Sequence, residues 1–231
     1  MRIYGLNKTT LLDFPEHVAA TVFTGGCNFC CPFCHNRDLV LGTAGLTAIA
    51  EEEVLAFLRK RKGILTGVCI TGGEPTLQPD LLAFIEKIKE MGYLVKLDTN
   101  GYRPAVLQEL LDKGLLDYVA MDIKNAKERY AMTVGKESLD IGCIEESVEI
   151  LKKSPIAYEF RTTVVRELHG KEDFAAIGEW LAGAKAYFLQ AYQDNENVIA
   201  GGFTAYDKGE MEELAQIVRQ NVTRVELRGI D

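Results

Sequence analysis

The chain has 231 residues, 47% of them hydrophobic and six of them cysteine, with a formal net charge of −8. That length fits one large domain with ample material for a core, and the charge gives little electrostatic reason to bind nucleic acid, which needs clustered Lys and Arg. No run of about 18 apolar residues suggests a membrane span, and the opening Met1-Arg-Ile-Tyr-Gly-Leu-Asn-Lys8 lacks the apolar stretch of a signal peptide. The expectation is a cytoplasmic protein whose cysteines serve metal or redox chemistry rather than cross-links.

Short β-branched runs alternate with longer amphipathic stretches, the rhythm of βα units around a parallel sheet. A strand at residues 17–23 leads to a helix at 48–62, where Val54, Leu55 and Leu58 form an apolar face. A strand at 66–71 leads to a helix at 79–91, with start signals at Pro79 and Asp80 and an apolar stripe at Leu81, Phe84, Ile85 and Ile88. Strand 94–99 leads to helix 104–113, and strand 117–123 leads through a helical turn at 126–133 to helix 144–153. Strand 157–165 leads to helix 172–181, strand 186–191 to helix 208–220, and a short strand closes the series at 222–227. No linker interrupts it, so residues 1–231 are expected to form a single α/β domain, a partial (β/α)6 TIM-like barrel short of the eight units that close a ring.

The cysteine-rich loop follows the first strand as Thr24-Gly-Gly-Cys27-Asn-Phe-Cys30-Cys31-Pro-Phe33-Cys34-His35-Asn36. Three thiolates at Cys27, Cys31 and Cys34 can hold three corners of a [4Fe–4S] cube and leave the fourth iron open, which suits a reaction centre. Cys30 is then a spectator. The alternative pairs Cys27 with Cys30 and Cys31 with Cys34 as a zinc site, although such pairs are normally separated by a dozen or more residues. Cys69 and Cys143 read as small buried residues. His17 and His169 read as structural or exposed, and Trp180 as part of the apolar face of a surface helix.

Other polar residues fall at strand ends, where parallel βα arrays do chemistry. Gly72-Gly73-Glu74-Pro75 ends the second strand. Its glycines let a ligand lie against the backbone, and Glu74 can receive an ammonium group, unless this is an ordinary turn. Asp98-Thr99-Asn100-Gly101 and Asp122-Ile123-Lys124 end the next two strands; they suit a hydroxylated small molecule or a hard cation, or else they are caps and ion pairs. Arg161 pointing into the array needs an anion beside it. Gln190 and Tyr192 end the sixth strand and are balanced between ligand contact and plain packing.

Cys27-x-x-x-Cys31-x-x-Cys34 followed by Gly72-Gly-Glu-Pro75 resembles the radical S-adenosylmethionine superfamily. Leu12-Asp-Phe-Pro15 and Cys34-His-Asn36 look like the activating enzymes of glycyl radical enzymes, with the anaerobic ribonucleoside-triphosphate reductase type nearest and the pyruvate formate-lyase type beside it. The resemblance runs from about Thr10 to Tyr192. It implies one [4Fe–4S] cluster on Cys27, Cys31 and Cys34, with S-adenosylmethionine chelating the open iron. It implies cofactor contacts from Phe33, His35, Gly72, Gly73, Glu74, Asp98, Asn100, Lys124, Thr163 and Tyr192, and a monovalent cation held by Asp98, Thr99, the Ala120 carbonyl and Asp122. The implied partners are a large glycyl radical enzyme as protein substrate and a flavodoxin or ferredoxin as electron donor, with no nucleic acid or membrane. Cys30 and Tyr192 depart from the family pattern, one standing where a non-ligand is usual and the other where a relative carries histidine. The rivals are a radical enzyme acting on a small molecule, as in deazapurine synthases, which the stretch Gly72-Gly-Glu-Pro-Thr-Leu-Gln78 also resembles, and a non-enzymatic iron–sulfur electron carrier.

Overall fold

A computed structural model describes residues Met1 to Ile230. Eight strands follow one another in chain order within one sheet: β1 (Ile3–Thr10), β2 (Ala19–Thr24), β3 (Gly67–Gly72), β4 (Leu94–Thr99), β5 (Tyr118–Asp122), β6 (Ala157–Val164), β7 (Tyr187–Ala191) and β8 (Val225–Arg228). The sheet is open, with β1 and β8 at its ends. Helices α1 (Arg37–Leu41), α2 (Glu51–Lys60), α3 (Leu81–Glu90), α4 (Pro104–Asp112), α5 (Tyr130–Thr133), α6 (Ile141–Lys153), α7 (Lys171–Trp180) and α8 (Lys208–Val218) lie between strands. From β2 to β8 this makes the six βα steps that the sequence periodicity predicts.

The chain divides into two compact units. The first holds Met1–Asn28, Asp38–Ala120 and Ser154–Ala157; the second holds Phe29–Arg37, Met121–Lys153 and Tyr158 onward. In the first unit, β2 runs parallel to β3 in register from Ala19↔Gly67 to Thr24↔Gly72, and β3 runs parallel to β4 from Gly67↔Leu94 to Ile70↔Leu97. The core-facing side chains of α2 (Val54, Leu55, Leu58) and α3 (Leu81, Phe84, Ile85, Ile88) are those the helical spacing selected, and all are buried. In the second unit, β6, β7 and β8 are parallel, from Phe160↔Tyr187 to Val164↔Ala191 and from Tyr187↔Val225 to Gln190↔Arg228. Helix α8 begins with a reciprocal cap, in which Asp207 accepts from Glu210 N at 2.9 Å and Glu210 accepts from Asp207 N at 2.9 Å.

Strand β1 is absent from the reading of the sequence. It pairs antiparallel with β2, shifts register twice and carries exposed Asn7, Lys8 and Thr9, so neither alternation nor an apolar run marks it. The turn expected at 126–133 is a 3₁₀ turn at Lys127–Arg129 followed by α5. Helix α6 starts three residues before 144, and Cys143, expected to be buried, is half-buried on its first turn, its Sγ 3.8 Å from Asp140 Oδ2. The stripe facing the core there is Ile144, Val148 and Leu151. Trp180 is half-buried at the end of α7, against the Tyr130 ring at 6.2 Å and under Lys127 Nζ at 5.3 Å. No helix among the described residues is long and apolar enough to cross a membrane.

Candidate active site

In the first unit the loop leaving β2 lies directly on the turn leaving β3. Gly73 N donates to Thr24 O and Glu74 N donates to Gly26 O, each at 2.8 Å. A Cβ at Gly73 would stand 2.1 Å from Gly26 O, and one at Gly72, whose φ is +118°, would stand 2.4 Å from Thr24 N and O. The two glycines therefore make room for the close approach of Thr24 and Gly26 at the start of the cysteine loop. Gln78 adds a further tie, Nε2 donating to Gly25 O at 2.9 Å.

Glu74 is fully buried and its carboxylate is spent within the protein. Oε1 accepts from Thr76 N at 3.1 Å, Thr76 Oγ1 at 2.5 Å and Thr99 Oγ1 at 2.8 Å, and Oε2 accepts from Asn100 N at 2.7 Å. Burial pushes its pKa up, and these hydrogen bonds only partly offset that. Glu74 thus braces the end of β3 against the end of β4. Beside it, Asn100 Nδ2 lies 3.9 Å from Cys27 Sγ. Asp98 is paired with Lys96, a lysine buried inside β4 whose Nζ is also 3.8 Å from Cys69 Sγ. Lys96 was missed; it lies two residues before Asp98 on one strand, a spacing that puts both side chains on one face.

In the second unit Cys31 is buried, and Cys34 N donates to Cys31 O at 3.0 Å. Cys34 Sγ receives the Asn36 amide at 3.4 Å. Burial raises the Cys34 thiol, while the Asn36 N–H and the Lys124 charge pull it down. Cys30 is held by its backbone, its N donating to Val134 O at 3.0 Å, and a Cβ at Gly135 would stand 2.5 Å from Cys30 O. Residues after β7 run along this loop, with Ile199 N donating to Cys34 O at 3.1 Å and Ala200 N to Pro32 O at 2.8 Å. His35 Nε2 is 2.6 Å from Gln193 O and its ring is 5.5 Å from Tyr192, while Phe203 stands 6.4 Å from both Tyr192 and Phe33.

Asp122 in this unit sits between two cations, Lys124 Nζ at 2.9 Å and Arg161 Nε at 2.5 Å. Burial works against its charge, but the two cations outweigh it and hold the carboxyl below the usual carboxylate range. Burial likewise works against the Lys124 charge, yet the negative charge of Asp122, and of Cys31 and Cys34 when they are ionised, raises its pKa. Arg161 thus has its anion. His169 is a core residue, with Nε2 2.7 Å from Lys124 O and Nδ1 accepting from Val165 N at 2.9 Å, and burial lowers its pKa. Thr163 lies opposite Gln190 in the β6–β7 ladder.

Among the described residues, no three His, Cys, Asp or Glu side chains are already gathered as a metal cage. The fit of an iron–sulfur cluster therefore rests on donor chemistry. Cys27, Cys31 and Cys34 are soft ligands on one loop. Amide N–H groups already face two of them, Asn100 toward Cys27 and Asn36 toward Cys34, as sulfur-ligated clusters require.

The sequence profile of the Radical SAM superfamily matches residues 21–181. A protein of Methanocaldococcus jannaschii, provisionally named a glycyl-radical enzyme activating enzyme, is 30% identical over 246 aligned positions, covering 99% of this chain and 96% of its own length. The pyruvate formate-lyase-activating enzyme of Clostridium pasteurianum is 35% identical over 141 positions, 58% of each chain. Among solved structures, Streptococcus suis SuiB superposes with a TM-score of 0.69 at 14% identity, over 89% of this chain and 47% of SuiB. The chain thus spans about half of SuiB, and at that identity the likeness is one of fold.

Proposed function

Because the chain belongs to the radical S-adenosylmethionine superfamily, whose enzymes use a [4Fe–4S] cluster and S-adenosylmethionine, we propose that it is an activating enzyme for a glycyl radical enzyme. When bound and reduced, the cluster and S-adenosylmethionine supply the 5′-deoxyadenosyl radical that takes a hydrogen atom from a glycine Cα of the partner. The observation that carries this reading is the end-to-end similarity to the Methanocaldococcus jannaschii protein provisionally named as an activating enzyme.

Residues 1–231 act as one radical core in this reading. Cys27, Cys31 and Cys34 hold a single cluster. Gly72, Gly73 and Glu74 serve S-adenosylmethionine through the turn that they shape: Glu74 positions the backbone, and the backbone meets the methionine ammonium. Asp98, Asn100, Lys124 and Thr163 face its ribose and carboxylate, and Phe33, His35 and Tyr192 border its adenine. Lys124 is charged across the physiological range, so it can meet a carboxylate without gaining a proton. Asp98, Thr99, Ala120 and Asp122 form the cation set, with Asp122 ionised.

The partner is anaerobic ribonucleoside-triphosphate reductase, on the strength of Leu12-Asp-Phe-Pro15 and Cys34-His-Asn36, with a cytoplasmic flavodoxin or ferredoxin as electron donor. The match to the Clostridium pasteurianum enzyme favours pyruvate formate-lyase as a second reading. The test is anaerobic reconstitution with iron and sulfide, reduction, and incubation with S-adenosylmethionine and each purified partner. The expected result is 5′-deoxyadenosine together with a glycyl radical EPR signal on the reductase. Cleavage of S-adenosylmethionine with no radical on either partner would turn the assignment toward a small-molecule enzyme of the deazapurine-synthase kind. Alanine at Cys27, Cys31 or Cys34 is expected to abolish cleavage and iron retention, whereas retained iron would remove that cysteine from the ligand set.

A further inference from the structure

Lys96 sits in the middle of β4 and is 2% exposed. It stands opposite Cys69 in the β3–β4 ladder, and alternation along β4 puts it on the same face as Asp98. Its Nζ pairs with the Asp98 carboxylate, lies 3.8 Å from Cys69 Sγ and stands 5.9 Å from the centre of the Tyr118 ring. Three neighbouring strands of the first unit therefore enclose one ammonium, and Asp98 is its anionic partner there. The side chain does not reach for water, as surface lysines do. Its stem runs instead toward the end of the strand, where Asp98 stands.

A buried charge persists where an opposite charge and hydrogen bonds replace the lost water, and such a pair fixes the geometry of both partners. The next two residues of the chain are engaged elsewhere, Thr99 Oγ1 and Asn100 N both donating to Glu74. Asp98 is instead held from beneath, by a lysine two residues earlier on its own strand. A carboxylate oriented in this way accepts from hydroxyls, which assigns it the ribose. We propose that Lys96 is a positioning residue for S-adenosylmethionine: its ammonium orients the Asp98 carboxylate and supplies, as a tethered group, the cation that Asp98 would otherwise take from solution. This inference rests on the cofactor reading of Asp98 above, and it names the cation on the Asp98 side of that set.

The test is equilibrium binding of S-adenosylmethionine to reconstituted, unreduced protein, with iron counted in each sample and ionic strength held by potassium or by tetramethylammonium chloride. Lys96→Met keeps the stem and removes the charge, and Asp98→Asn removes the other partner. Each is expected to keep its iron and to bind roughly tenfold more weakly, the size of one charge-assisted hydrogen bond. The double variant should lose no more than either, because each residue acts through the other. Potassium should leave the wild type unchanged and tighten binding in Lys96→Ala, where the ion can stand beside Asp98. Thermal unfolding of the apoprotein gives a readout free of the cluster: ethylammonium should raise the midpoint of Lys96→Ala, and not that of Lys96→Ala combined with Asp98→Asn. Wild-type affinity in iron-loaded Lys96→Met, losses that add in the double variant, or potassium dependence in the wild type overturns the proposal. If neither single variant at 96 folds, Asp98→Asn is compared with Lys96→Met/Asp98→Asn: equal affinities support the pairing and a weaker double overturns it. If the double does not fold either, Lys96 is structural and the proposal falls. A wild type that binds no S-adenosylmethionine is a separate outcome that defeats the cofactor reading, and a midpoint of Lys96→Ala unmoved by ethylammonium then overturns the pairing as well.

Discussion

Two carboxylates, one in each unit, are held by opposite means. Glu74 ends in four neutral donors, two backbone amides and two threonine hydroxyls, with burial raising its pKa. Asp122 ends between Lys124 and Arg161, which lower its pKa against the pull of burial. The first carboxylate organises backbone: it ties the β3 turn, and with it the cysteine loop, to β4. The second organises charge, holding Arg161 and Lys124, of which Lys124 lies close enough to Cys31 and Cys34 to interact with them. A carboxylate in a βα array is therefore not a role in itself, since its donors decide whether it shapes a loop or sets a field.

The largest effect should come from breaking the close approach that Glu74 braces. Gly73→Ala puts a Cβ into Gly26 O, and a loss of about 4 kcal/mol in thermal unfolding of the apoprotein is expected, with lowered iron uptake. An unchanged melting temperature would mean that the loop does not need this contact.

Next comes Asp122→Ala, which leaves Lys124 and Arg161 facing each other and should cost about 3 kcal/mol near neutral pH. Because the folded state depresses the Asp122 pKa, its stabilisation is present above the ordinary carboxylate value of about 4 and fades as pH falls below it. The gap between wild type and variant should close in acid, and a gap independent of pH would refute the charge-pair account.

Glu74→Gln should cost less, about 1–2 kcal/mol, by setting an amide nitrogen against one of the N–H donors. Here the sign reverses. The folded state raises the Glu74 pKa, so its contribution is greatest below about 4.3 and is lost as pH rises through the raised value. The deficit of the variant should shrink with rising pH, and a deficit that grows would contradict the neutral-donor picture.

The smallest effect belongs to Cys30→Ala, because that residue docks through its backbone on Val134 and Gly135. Stability within about 0.5 kcal/mol of wild type is expected, with unchanged iron content. A loss of iron would make Cys30 a ligand.

Much of this was legible from residue patterns. Period 3.6 selected the buried faces of α2 and α3, and the repeated βα alternation anticipated six crossovers, because both patterns are local consequences of burying one side of a regular element. Strand β1 was not legible, since an irregular antiparallel strand with several exposed residues carries no period. Lys96 was legible in principle from its spacing to Asp98, but a lysine amid strand residues reads as a solvent-facing one until its burial is known.

By itself the sequence determined the family-level chemistry: three cysteines at fixed spacing on one loop after a strand, and polar residues at successive strand ends, because ligand type and spacing are local covalent facts. Only the tertiary structure decided what the individual groups do. It turned Gly72 and Gly73 into a seat for the chain at Thr24 and Gly26, turned the Glu74 carboxylate inward, and paired Asp98 with Lys96. Those outcomes depend on hydrogen-bond partners and burial supplied by segments far apart in the chain, which no spacing along the sequence encodes.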